Sequence, residues 1–161
     1  MLLSVIIPCF NVEKYIEKCI LSVVNNNLQV EDYEIILVDD ESPDNSVSIV
    51  RSIMKIHPQI KLISQKNKGL GGARNTGVLN SSGEYVLFLD ADDYLKENAL
   101  KNVITFAIEY KLDILEFGAI GIGEKGDEVY RYSKSTETIS DGYEYLSKIQ
   151  YMNSACNKLY A

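Results

Sequence analysis

The chain has 161 residues, 46% of them hydrophobic, and a formal net charge of −7. That length and apolar content suit one folded domain burying roughly 70% of its unfolded surface, and they exclude an intrinsically disordered segment. The acidic balance excludes a nucleic-acid groove as the natural reading, so an anionic ligand would need a metal or a few placed cations.

In chain order, short apolar runs alternate with amphipathic ones. Residues 3–7 read as a first strand. Val12, Tyr15, Ile16, Cys19, Ile20, Val23 and Val24 then step by three and one, a helical stripe with Asn11 as its expected N-cap. Residues 34–38 form a second strand that closes on Asp39-Asp40. Ser42-Pro43 pairs a capping residue with proline at the first helical position, which predicts a second helix carrying Val47, Val50, Ile53 and Met54. A third strand over 60–64 precedes the glycine-rich run Lys68-Gly69-Leu70-Gly71-Gly72-Ala73-Arg74-Asn75, which opens a helix over 71–79. The fourth strand, 84–89, ends on Asp90, Asp92 and Asp93. A fourth helix carries Leu100, Val103, Ile104, Ala107 and Ile108, and 112–117 is a fifth strand.

This alternation predicts an α/β fold, a mostly parallel open sheet flanked by helices and joined by right-handed crossovers. The continuous Val/Ile/Leu content of the strands suits burial on both faces. Ligands in such sheets sit beyond the carboxyl ends of the strands, where both acidic groups and Pro8 to Asn11 fall. After Gly118 the character changes. Gly121, Gly123 and Gly126 punctuate a polar stretch, with a hairpin arm expected over 129–132, a short helix over 141–150 and no closing element at the end. Residues 1–118 are therefore expected to form the α/β core, and 119–161 the start of a further region of the same domain.

Three carboxylates within four positions at the end of a buried strand are costly to desolvate, and a divalent cation is the simplest compensation. Capping carboxylates before the fourth helix are the plainer alternative, and Asp93 is the one expected to serve that way. Asp39 to Asp44 likewise reads either as an Asx turn before a capped helix or as an Asp aimed at a ligand N–H. The glycine-rich run would let a backbone approach a diphosphate at a helix N-terminus, although its spacing is not G-x-G-x-x-G. His57, the only histidine, reads as a solvated loop residue, and the eleven tyrosines as packing residues. Three cysteines, Cys9, Cys19 and Cys156, show no C-x-x-C spacing and suggest neither a disulfide framework nor zinc, but a reducing cytoplasm. Residues 2–7 are too short and lack the basic flank of a signal peptide, and no stretch reaches the length of a membrane span. Peripheral membrane association stays compatible with that.

Taken together, these pieces resemble the family 2 glycosyltransferases of the GT-A fold (Rossmann-like). The resemblance runs from Ser4-Val5-Ile6-Ile7-Pro8-Cys9-Phe10-Asn11 through Asp39-Asp40, Ser42, Asp44 and Ser46. It continues with Gln65, Asn67, Gly69, Ala73-Arg74-Asn75, Gly77 and Gly83-Glu84-Tyr85 to Phe88-Leu89-Asp90-Ala91-Asp92-Asp93. It is dense over residues 3–95 and weaker to Lys158-Leu159-Tyr160.

The resemblance implies transfer of a sugar from a nucleotide-sugar donor, often a UDP-sugar, to a hydroxyl of a glycan or lipid-linked acceptor in cell-envelope polysaccharide synthesis. It implies that Phe10 stacks on the base, that Asp40 accepts from a ring N–H, and that Pro8 and Asn11 shape that pocket. Asp90, Ala91 and Asp92 would form the D-x-D segment, Asp90 and Asp92 reaching the ribose and a divalent metal (Mn²⁺ or Mg²⁺). Arg74 would face the phosphates. Glu41 departs from the family's usual small residue after the Asp pair. The family's general base lies beyond the Lys-Leu-Tyr motif, so the resemblance places it beyond Ala161 and the C-terminal part reads as incomplete. A non-catalytic nucleotide-sugar-binding module and a sugar-phosphate nucleotidyltransferase are the rival readings. The latter would carry a glycine-rich basic loop where Pro8-Cys9-Phe10-Asn11 stands.

Overall fold

A computed structural model describes residues 1–123, 125–132 and 158–161. Its elements begin with β1 (Leu3–Cys9), α1 (Ile16–Val24), β2 (Tyr33–Asp39), α2 (Ser46–Met54) and β3 (Ile60–Ser64). They continue with α3 (Gly69–Leu79), β4 (Tyr85–Phe88), α4 (Ala99–Tyr110) and β5 (Ile114–Glu116), in the alternating order that the hydrophobic pattern predicts. The hairpin β6 (Ala119–Ile122) and β7 (Glu128–Tyr132) forms a separate two-stranded sheet, in agreement with the expected arm. The helix expected over 141–150 lies outside the described residues.

The main sheet has the order β3-β2-β1-β4-β8-β5, where β8 is Lys158–Tyr160. Its first four strands are parallel, and β8 runs antiparallel to both β4 and β5. The sheet is thus mostly parallel and flanked by helices, as expected. The expected lack of a closing element is corrected here: Leu159 is 1% exposed and pairs with Leu87 on one side and Leu115 on the other. Three residues are too few to show a period, so only their pairing reveals them as a strand.

Helices of nine residues are marginal alone in water, so packing decides where they form. The stripe of α1 buries Ile16, Cys19, Ile20 and Val23 in the main core, with Leu3, Val5 and Ile7 of β1 and Leu100, Ile104 and Ala107 of α4. A smaller cluster on the other face joins Ile6, Ile36 and Val38 to Ala73 of α3. There α3 lies so close that a Cβ on Gly77 would stand 2.3 Å from Ile6 Cγ2.

Three helix starts differ from expectation. Asn11 has φ +56° and does not cap α1, which begins five residues later; the Val12 carbonyl accepts from the N–H groups of Tyr15 and Ile16 instead. Ser42-Pro43 stays in the loop, and α2 begins at Ser46, whose N–H donates to Asp44 Oδ1 at 3.1 Å. Asp93 does not cap α4, which begins at Ala99; the Leu100 N–H donates to Asn26 Oδ1 at 2.7 Å. In each case a group other than the expected cap satisfies a first-turn donor, a near neighbour at α1 and α2 and a distant side chain at α4. Among the described residues no helix is long and apolar enough to cross a membrane.

Candidate active site at the carboxyl ends of β1, β2 and β4

Chain order reverses across β1, with β2 on one side and β4 on the other, so the crevice beyond its carboxyl end is a topological switch point. Both acidic strand ends reach that crevice from opposite sides of β1, about two strand spacings or ~10 Å apart. Pairing of β1 with β2 extends to Cys9↔Asp39, whereas pairing with β4 stops at Ile6↔Phe88. Pro8 falls just past that last pair, where a missing N–H costs no ladder bond. Phe10 follows, 49% exposed at the mouth, although seven buried residues precede it. A half-exposed aromatic on a rigid strand end offers a flat apolar face.

The loops beyond β1 and β2 are laced together. Ser42 donates its hydroxyl to the Cys9 carbonyl at 3.2 Å, accepts from the Asn11 N–H at 3.3 Å, and gives its own N–H to Asp39 Oδ1 at 2.9 Å. Val12 N–H donates to Ser46 Oγ and Glu13 N–H to Asp44 Oδ2, while Glu13 Oε2 accepts from Asn45. Burial pushes the Asp44 carboxyl up, but bonds from the Ser46 hydroxyl and from the Glu13 and Ser46 N–H groups outweigh it and hold the carboxyl below its usual range. Asp39 and Asp44 thus take part in the turns, as the Asx reading of this segment expects.

Asp40 is 3% exposed, and its Oδ1 accepts from Gln65 Nε2 at 2.7 Å and from the Lys68 N–H at 2.9 Å. Gln65 Oε1 in turn accepts from the Thr76 hydroxyl at 2.5 Å, so α3 orients Asp40 through Gln65. Sequence reasoning gave Gln65 and Thr76 no role, because nothing local marks a bridge between residues 25 positions apart. Glu41 adopts φ +67°, the left-handed region in which a residue without a Cβ is least strained, and its Oε2 accepts from the Asn67 N–H at 3.3 Å.

On the other side of β1, Asp90 Oδ1 accepts from Arg74 Nη2 at 2.7 Å, a pair only partly exposed. Arg74 also lies over the Phe88 ring, 5.9 Å from its centroid. The structure therefore brings Arg74 to Asp90, and Pro8, Phe10, Asn11 and Asp40 to the same crevice. Ala91 is buried, whereas Asp92 and Asp93 are exposed. Desolvation by the surrounding protein, and then the nearby charges of Asp92 and Asp90, push the Asp93 carboxyl above its ordinary value although its side chain reaches solvent. Among the described residues no group of three or more His, Cys, Asp or Glu side chains is placed to hold a metal ion. The donor set itself fits a hard cation: oxygen ligands only, on an open turn, with mutual repulsion that a cation would relieve.

Residues 4–160 match the family described as Glycosyl transferase family 2, and the chain belongs to that family. It is 41% identical over 117 residues to the uncharacterized glycosyltransferase EpsJ of Bacillus subtilis, covering 73% of this chain and 33% of that protein. It is 37% identical over 129 residues to the poly(ribitol-phosphate) β-N-acetylglucosaminyltransferase TarP of Staphylococcus aureus, covering 78% and 38%. The chain thus spans about a third of the length of these curated relatives. The crystal structure of S. aureus TarS 1–349 in complex with UDP-GlcNAc superposes with a TM-score of 0.74 at 26% identity, over 99% of this chain and 45% of that one. The fold is of the GT-A type.

Proposed function

We propose that this chain is the donor-binding part of a metal-dependent, inverting glycosyltransferase that moves a sugar from a UDP-sugar to an acceptor hydroxyl in cell-envelope polysaccharide synthesis. The observation that carries the reading is the crevice itself, where an exposed aromatic, a buried oriented carboxylate and an acidic turn meet across one strand. Relatives whose names specify poly(ribitol-phosphate) glycosylation, and a related structure holding UDP-GlcNAc, support the substrate class.

In this reading Phe10 stacks on the uracil and Asp40 accepts from its ring N–H. Two of Asp40's bonds already converge on Oδ1, which leaves Oδ2 to take that proton donor. Pro8 and Asn11 shape the pocket, Asn11 by taking the left-handed turn that carries the chain away from Phe10. Asp90, its charge shared with Arg74, serves the ribose and the backbone of Ala91 follows it. Asp92 and Asp90 would hold the Mn²⁺ or Mg²⁺. The bound cation supplies charge neutralisation to the departing diphosphate, worth several kcal/mol in such reactions. Arg74 sits between Phe88 and Asp90, where its guanidinium adds positive potential on the phosphate side.

Calorimetric titration of UDP with and without Mn²⁺ tests this. Binding on the order of micromolar that needs the metal, and a loss of at least about 100-fold in Asp92→Ala, are expected, since even outer-shell changes cost 10- to 100-fold. No binding by the folded wild-type chain would overturn the reading.

A further inference from the structure

The acidic turn leaves the sheet at Phe88, and no strand pairing holds the residues from Asp90 to Asn98. Beside the Arg74–Asp90 pair, a series of hydrogen bonds ties this segment to α1 and the turn that ends it. Cys19 Sγ donates to the Asp90 carbonyl at 3.6 Å, and the Leu95 N–H donates to Ser22 Oγ at 3.0 Å. Asn26 Nδ2 donates to the Lys96 carbonyl at 3.0 Å, and Asn26 Oδ1 accepts from the Leu100 N–H at 2.7 Å. Residues 19, 22 and 26 are three and four apart, so they form one seam along α1 and the turn that ends it. The seam brackets Asp92 and Asp93, with one attachment before them and three after.

The two polar members are themselves fixed. Ser22 Oγ donates to the Cys19 carbonyl at 2.6 Å, and Asn26 Nδ2 also donates to the Ser22 carbonyl at 2.8 Å. Asn26 is 1% exposed, and its amide spends both donor hydrogens and its oxygen on backbone groups. A buried amide satisfied in this way defines one geometry, because any shift of the 95–100 backbone strands a polar group in the core. The adjacent Asn27 reaches Asn98, whose φ of +61° marks the last bend before α4.

We propose that Ser22 and Asn26 are positioning residues of the donor site, holding the Asp90–Asp93 turn in the geometry that receives the cation and the diphosphate. The proposal rests on the donor-binding reading above. Neither side chain touches donor; each acts through the backbone that carries Asp92.

The test separates the two halves of the donor. Uridine engages the Phe10 and Asp40 side of the crevice and lacks the diphosphate, whereas UDP with Mn²⁺ also engages the acidic turn. Affinities for both are measured by calorimetry, and Mn²⁺ occupancy by electron paramagnetic resonance. Asn26→Asp keeps the acceptor for Leu100 and loses both donors; Ser22→Ala loses the acceptor for Leu95; Ser22→Thr restores a hydroxyl. The expected result is a 10- to 100-fold loss of Mn²⁺–UDP affinity in Asn26→Asp and Ser22→Ala, recovery in Ser22→Thr, and uridine affinity unchanged within about twofold. If Asn26→Asp does not fold, the Ser22 pair alone decides. Equal losses for uridine and UDP would reduce both residues to general stability and overturn the proposal, as would unchanged Mn²⁺–UDP affinity in the folded variants. Failure of the wild-type chain to bind UDP would instead overturn the donor-site reading, and this proposal with it.

Discussion

The sheet holds carboxylates at both its ends, and they live under opposite conditions. Near the amino ends of the strands, Glu34 is 1% exposed and fully served: it accepts from Ser4 Oγ at 2.7 Å, from both the N–H and the hydroxyl of Ser82 at 2.7 Å, and from Lys61 Nζ at 2.6 Å. Burial pushes its carboxyl up, but Lys61, Ser4 and Ser82 outweigh burial and bring it down to about 2. At the carboxyl ends, Asp93 shares a turn with two other acids and is pushed the other way. A buried charge with partners on both of its oxygens is a structural part, whereas carboxylates crowded together on an open turn at strand ends mark a candidate functional site.

The largest expected effect lies at the amino end. Glu34→Ala removes the acceptor of the Ser82 N–H and should lower the free energy of unfolding by about 3 kcal/mol. Urea unfolding with an unchanged m-value would show it. UDP affinity of the folded variant should not move, because no bond of this cluster reaches the crevice. A parallel loss of affinity would show that the two ends are coupled.

Acid titration sharpens the contrast, since the two carboxylates contribute with opposite sign. Glu34 has a depressed folded value, so its stabilisation is complete above about 4.3, the ordinary Glu value, and is lost as pH falls toward about 2. Asp93 has a raised folded value, so the native state takes its proton before the unfolded chain does. Stability from that group therefore rises as pH falls through its raised value, and the gain is complete below about 3.9. Compared with wild type, Asp93→Asn should lose the gain on mild acidification, and Glu34→Ala should lose the decline at lower pH. Unfolding curves at a series of pH values would reveal both, and curves of the same shape for the two variants would break the comparison.

The order of strands and helices was legible because the central strands β1 and β2 are buried on both faces and the helices on one, and both conditions print directly into the residue pattern. The acidic strand ends were legible for a related reason, since carboxylates next to apolar runs stand out. Helix starts were not. At the start of α4 the Leu100 N–H finds Asn26 across 74 positions, and in the loop before α1 the Val12 N–H finds Ser46 across 34. Glu34 looked like one polar residue in a strand until Ser4 and Ser82 were brought beside it. What escapes the sequence is thus the polar contact made at long range, whether it serves the fold at Glu34 or the site at Asp40.

Glu41 lies between these cases, and the smallest effect is expected there. Its left-handed backbone costs an L-residue about 1–2 kcal/mol, which glycine would recover in part because a more flexible unfolded chain offsets some of the gain. Glycine would also lose the exposed 3.3 Å bond to the Asn67 N–H, a contribution of about 0.5–1 kcal/mol. Glu41→Gly should therefore change stability by less than about 1 kcal/mol in urea unfolding. Its effect on UDP is the informative one. The variant removes a negative charge one residue from Asp40, so affinity should rise by less than about tenfold at low salt, with the gain fading as ionic strength screens it. A fall in affinity instead would mean that the carboxylate's hold on the 65–68 loop, which also carries the Lys68 N–H to Asp40, matters more than its charge.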